Sequence, residues 1–162
     1  MDSRVTILLV LAALAVPLIV LFFIRLRRNQ DEIQALIEAK FGGKNMIVRD
    51  PMAYLVAQQS RGYSQNQGNG NLILTEDELF FAMTMPKTVI SIPRKNVGEV
   101  KRVSRMCAQQ RLGQVILKIQ YTDDLGREDA LGLKLKDMDR WETEIGKMRS
   151  RASGKVGGVR LR

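Results

Sequence analysis

The stretch QVILKIQYTDDLGREDALGLKL, residues 114–135, decides the fold. From Gln114 to Thr122, Val115, Leu117, Ile119 and Tyr121 share one face, and Ile116, Lys118 and Gln120 share the other. A period of two belongs to a β-strand, whose successive side chains point to opposite faces. Asp123-Asp124-Leu125-Gly126 then makes a four-residue turn, with glycine where a positive φ is expected. Glu128 to Leu135 resumes the alternation with Leu131, Leu133 and Leu135 inward. A turn this short makes the two strands antiparallel neighbours.

Working back from this hairpin, the alternation recurs. Ala53 to Gln59 reads as a first strand, and the polar Arg61–Gly70 stretch as a long hairpin loop. Asn71 to Thr75 places Leu72 and Leu74 together, and Glu76-Asp77 turn the chain. Glu78 to Thr84 returns with Leu79, Phe81 and Met83 inward. Pro86-Lys87 break the run before Thr88–Ile92, where Ile90 and Ile92 share a face. Val97, Val100 and Val103 recur at intervals of three, which predicts an irregular or bulged strand. The sum is about seven antiparallel strands, strongly bent or closed as a barrel or sandwich.

Forward of the hairpin the period becomes helical. Met138, Trp141, Ile145 and Met148 form one apolar stripe, with Asp137 or Asp139 as N-cap, the latter backed by Glu142. Trp141, the only tryptophan, is expected to plug an open end of the barrel. At the other end of the domain, Ile33, Leu36, Ile37 and Phe41 mark an amphipathic connector helix over residues 29–44, stopped by Gly42-Gly43.

Val5 to Ile24 contains twenty residues without charge, fifteen of them Leu, Ile, Val or Phe. At 1.5 Å per residue such a helix spans about 30 Å, the bilayer's hydrocarbon thickness. The insertion gain is at most about 5–9 kcal/mol. Residues 1–28 are therefore expected to be a transmembrane anchor with a basic flank, Arg25, Arg27 and Arg28. The excess of cations after the run places the C-terminal domain in the cytoplasm of a single-pass cell-membrane protein. The rival expectation is a signal peptide cut near Ala13-Leu14-Ala15, which would leave a secreted β domain.

The chain carries +9 formal charge, no histidine and one cysteine, Cys107. Without histidine the usual general base and the commonest metal ligand are missing. Asp123-Asp124 and Glu76-Asp77 are adjacent acids, but each sits in a predicted turn, where Asp is favoured for backbone reasons. No nucleophile–base pair is present, so the chain is expected not to be an enzyme and to hold no cofactor or metal.

Positive charge gathers in three places. Beyond the flank at Arg25, it covers Arg94, Lys95, Lys101, Arg102, Arg105, Arg111 and Lys118, facing one acid, Glu99. It returns after Gly146 with Lys147, Arg149 and Arg151, then Lys155, Arg160 and Arg162 in a flexible basic tail over residues 151–162. These clusters are the candidate contacts with anionic lipid headgroups or an acidic protein partner. Nucleic acid is a weaker expectation, because stacking requires aromatic rings among the cations, and Phe81, Tyr121 and Trp141 are inward by phase.

Seven short strands closed by one tryptophan-bearing helix resemble the pleckstrin-homology-like superfold. Gly70-Asn71-Leu72-Ile73-Leu74-Thr75, Glu78-Leu79-Phe80-Phe81, Ile90-Ser91-Ile92-Pro93 and Val97-Gly98-Glu99-Val100 are similar to the run of motifs in its GRAM branch. The resemblance covers residues 45–150. It implies a β-barrel capped by a C-terminal helix, acting as a membrane-associated binding or scaffolding module. In phosphoinositide-binding members, cations surround the first strand–loop–strand. Here the loop from Ser60 to Asn71 carries only Arg61, a departure that puts that specificity in doubt.

Overall fold

The computed structural model describes residues 3–62, 64–107, 109–110 and 114–153. It is mainly β, with two helices. Helix α1 spans Ser3–Phe41. Seven strands follow it: β1 (Val48–Gln58), β2 (Gly68–Leu74), β3 (Glu78–Thr84), β4 (Lys87–Pro93), β5 (Val97–Val103), and then, past a small β6–β7 pair (Arg105–Met106 and Gln109–Gln110), β8 (Ile116–Thr122) and β9 (Glu128–Lys134). Helix α2 is Met138–Ser153. The chain divides into two compact units, one up to Lys40 and one from Phe41.

The expected membrane anchor is corrected. Among the described residues, no helix is long and apolar enough to cross a membrane. Within α1, Arg25, Arg27, Arg28, Asp31 and Glu32 follow the apolar part in the same continuous helix. The expected transmembrane span falls with that finding, and the lipid-binding reading finds no support in the structure.

The closed barrel is corrected as well. The seven strands form a single antiparallel sheet in the order β4-β3-β2-β1-β9-β8-β5, so β4 and β5 are its edges. One face of this sheet makes a continuous core with α2. Leu55, Leu72, Phe81, Ile92, Val97, Ile119 and Leu133 from the strands join Trp141, Ile145 and Met148. Residues from both edge strands share that core, so the sheet bends around it instead of lying flat. Trp141 is 2% exposed.

Local chemistry explains the element ends. Gly126 has φ +77° in the β8–β9 turn, where Asp123 Oδ1 accepts the Leu125 and Arg127 N–H groups at 2.9 and 2.8 Å. Between β2 and β3, the Thr75 N–H donates to the Glu78 carbonyl at 3.0 Å, and Thr75 Oγ1 accepts the Asp77 and Glu78 N–H groups. Asp137, not Asp139, begins α2: its Oδ1 accepts the Arg140 N–H at 3.1 Å. The helix continues through Ser153, into the stretch expected as tail. Residues 154–162, with Lys155, Arg160 and Arg162, lie outside the described residues, as does Arg111.

β1 begins at Val48, five residues before the strand expected from alternation. Pro51 supplies no N–H, and Asp50 Oδ1 accepts the Met52 N–H at 2.9 Å, so pairing with β2 breaks between Asp50 and Ala53 and then resumes. The irregularity expected in β5 is present as a register shift against β8 between Val97 and Val100. Gly70 sits at a close approach of β2 to β3. A Cβ there would lie 2.5 Å from the Ala82 carbonyl oxygen and 2.7 Å from Phe81 Cζ.

Candidate functional site

The basic clusters come apart once their surroundings are considered. Arg94 is half-buried, and its Nε donates to the Met148 carbonyl at 2.8 Å, tying the turn after β4 to α2. Arg102 on β5 bridges two acids of α2, donating from Nε to Glu142 at 2.9 Å and from Nη2 to Asp139. Those hydrogen bonds, to Asp139 first and then Glu142, raise its pKa further. Lys101 pairs with Glu99 at 3.0 Å, and Lys147 with Glu144 at 2.7 Å. Four expected contact residues thus fasten elements of the domain or meet a neighbouring acid.

The remaining candidates are dispersed. Lys95, Arg105 and Arg149 are exposed and pair with no acid among the described residues, and Lys118 is half-exposed on β8. In α1, Arg25 and Arg27 lie on the helix, and Arg28 pairs with Glu32 at 3.2 Å. Arg151 belongs to α2, and its side chain lies outside the described residues.

The densest polar constellation involves none of these cations. Asp129, at the start of β9 and 6% exposed, faces Tyr121 directly across the β8–β9 ladder. Its Oδ2 accepts from Tyr121 Oη at 2.6 Å, Ser60 Oγ at 2.7 Å and Gln58 Nε2 at 2.9 Å. Its Oδ1 accepts the Ser60 and Ala130 N–H groups, each at 2.8 Å. Gln65 completes the fastening of the loop after β1: its Oε1 accepts the Gln58 N–H at 2.7 Å, and its Nε2 donates to the Gly62 carbonyl.

Burial alone would raise the Asp129 pKa. The hydrogen bonds from Tyr121, Gln58 and Ser60 outweigh it and hold the carboxyl below its ordinary range. The same burial, with Asp129 beside it, pushes the Tyr121 hydroxyl well above its ordinary value. The pair is therefore carboxylate and neutral phenol at any physiological pH. A carboxylate already accepting five donors is a poor proton acceptor for a substrate, so this cluster is suited to anchoring rather than general-base work. A polar cavity of about 140 Å³ beside it is lined by Gln59, Gly98, Gln120, Thr122 and Glu128 as well as the pair. Sequence reasoning missed this site because Gln58 reads as one more residue of the first strand and Ser60 as an ordinary polar residue beside the loop. The usable signal was Tyr121 directly opposite Asp129 once the hairpin register is counted from Gly126.

Metal-ligating groups do not converge: among the described residues, no three of Cys, Asp, Glu and His cluster to hold an ion. Cys107 is half-buried, with φ +54°, against Ala57, Met106 and Ala130.

No protein-family model matches the chain, and no curated protein matches it. Among solved structures, the chain is similar to the C-terminal domain of an unknown protein from Leishmania infantum, at 13% identity and a TM-score of 0.45, covering 72% of this chain and 97% of that one.

Proposed function

We propose that the chain is a non-catalytic binding module, with a PH/GRAM-like β domain whose outward charge meets an acidic protein partner. The supporting observation is how the domain uses its acids. Asp50, Asp123, Asp129 and Asp137 are bonded to backbone N–H groups, while Glu99, Asp139, Glu142 and Glu144 are paired with cations. Lys95, Arg105, Lys134, Lys136 and Arg149 have no such partner among the described residues and face solvent. Glu76, Asp77, Asp124 and Glu128 are exposed as well, but the cations outnumber them, and the positive balance steers acidic partners and repels basic ones.

The non-catalytic part of the reading is supported by the chain's lack of histidine and by the saturation of Asp129 with donors. The test is fluorescence anisotropy of the full chain with a dye-labelled glutamate-rich peptide, in rising salt, beside a single-stranded oligonucleotide of equal charge. Peptide binding that weakens with salt is expected. Absence of peptide binding, or tighter binding to the oligonucleotide, would overturn the reading.

A further inference from the structure

We infer that the surface cavity where β1 meets β9 is the docking site for an acidic segment of a partner protein that carries an apolar side chain among its carboxylates. The inference rests on the function proposed above and locates the contact. The cavity measures about 300 Å³ and is lined by Met52, Tyr54, Asn69, Lys134, Leu135 and Lys136. None of these six belongs to the basic clusters singled out in the sequence.

The ladder brings them together. Tyr54 on β1 pairs with Lys134 of β9 on one side and with Asn69 of β2 on the other, so the three side chains stand in one cross-strand row. Lys136 lies two residues beyond Lys134, just past the end of β9. Met52 comes from the irregular stretch of β1 that Pro51 and Asp50 create, and it is 66% exposed.

Charge complementarity selects the occupant. Asp137, next to Lys136 in the chain, caps α2 through the Arg140 N–H, and Asp50, 9% exposed, is spent on the backbone, accepting the Met52 N–H at 2.9 Å and the Lys136 N–H at 3.4 Å. The two Asp50 bonds fix the positions from which Met52 and Lys136 project. Lys134 and Lys136 are exposed and pair with no carboxylate among the described residues. The site therefore offers two ammonium groups beside a thioether and a phenol ring. A partner segment that places carboxylates on the lysines and an apolar side chain against Met52 and Tyr54 satisfies both at once. A bare anion would leave the apolar half uncovered, and a volume of this size accepts one large side chain, not a folded ligand. A nucleic acid strand would need more stacking rings than Tyr54 supplies.

The experiment uses the full chain and a dye-labelled peptide of glutamates flanking a single phenylalanine. K134E/K136E is expected to weaken binding at least about tenfold, and M52S about threefold, whereas K95E/R105E should stay within about twofold of the parent. The substituted side chains of the lysine pair and of Met52 are exposed, and circular dichroism checks that each variant is folded. If K134E/K136E binds like the parent while K95E/R105E is weakened, the site lies elsewhere and only this inference falls. If the parent itself ignores the peptide, the proposed function fails with it. If replacing phenylalanine by serine leaves the affinity unchanged, the apolar half of the inference is wrong.

Discussion

The Tyr121 hydroxyl donates to Asp129 Oδ2 at 2.6 Å, between residues that face each other across the β8–β9 ladder. The same carboxylate holds Gln58, the last residue of β1, and Ser60 in the turn that follows it. One buried charge thus joins a hairpin close in sequence to a loop some seventy residues upstream. Tyr121→Phe removes one bond to an ionised acceptor and is expected to cost about 1.5–3 kcal/mol. Asp129→Ala strands several buried donors together and should cost more than Tyr121→Phe, about 3 kcal/mol or above. Urea denaturation of the two variants measures both, and equal losses would show that Gln58 and Ser60 gain nothing from the carboxylate.

Acid should release the same fastening. The folded pKa of Asp129 lies below its unfolded value, near 4. Between the two values the unfolded chain binds more protons, so stability rises with pH across that window. The contribution is complete above the unfolded value and is lost as pH falls through the folded one. Asp123 is shifted in the same direction by the Arg127 N–H and guanidinium, so two carboxyls act together. Urea midpoints taken from about pH 6 down to pH 3 should fall in the parent and fall less steeply in Asp129→Asn. Parallel slopes would assign the acid sensitivity to Asp123 and other groups.

Gly70 tests the packing of β2 against β3. A methyl group there meets the Ala82 carbonyl oxygen and the Phe81 ring, and the carbonyl belongs to the hydrogen-bonded ladder and cannot yield freely. Gly70→Ala is expected to destabilise by about 1–3 kcal/mol, the usual cost of overfilling a packed site. The reference is Gly146→Ala, on the exposed side of α2 with open space around it, which should stabilise by up to about 1 kcal/mol. A Gly70→Ala midpoint at or above that of the parent would show that the β2–β3 contact relaxes.

The strand pattern was readable where one face is buried and the other wet. Leu117, Ile119 and Tyr121 alternate with Lys118 and Gln120, and the β8–β9 register follows from the turn at Gly126. It was obscured where both faces are covered: Ile116 and Leu117 are both buried, whereas Val115, assigned inward by phase, is 46% exposed. The start of β1 was hidden because Asp50-Pro51 reads as a break, yet a side-chain bond from Asp50 carries the strand across it. Apolar content alone overstated the N-terminal helix: among the described residues, no helix is long and apolar enough to cross a membrane. Charge was the least informative signal about the site. Arg94 and Arg102 look in sequence like a partner surface and in the structure fasten α2, while Lys134 and Lys136 flank Leu135 at and just past the end of β9.

Trp141 carries the last prediction, because α2 is held to the bent sheet chiefly through its apolar stripe. The indole is 2% exposed and shares the core with Ile145 and Met148 on the helix and with residues from both sheet edges. The ion pairs that Arg102 makes with Asp139 and Glu142 are exposed and screened, and they cannot replace that contact. Trp141→Ala is expected to cost about 3–5 kcal/mol, much of the stability of a domain this size, while Trp141→Phe keeps most of the buried area and should cost less. Because Trp141 is the only tryptophan, its loss silences intrinsic tryptophan fluorescence, so thermal unfolding followed by far-ultraviolet circular dichroism is the measurement. A Trp141→Ala variant that melts with the parent would mean that the sheet holds its bend without α2.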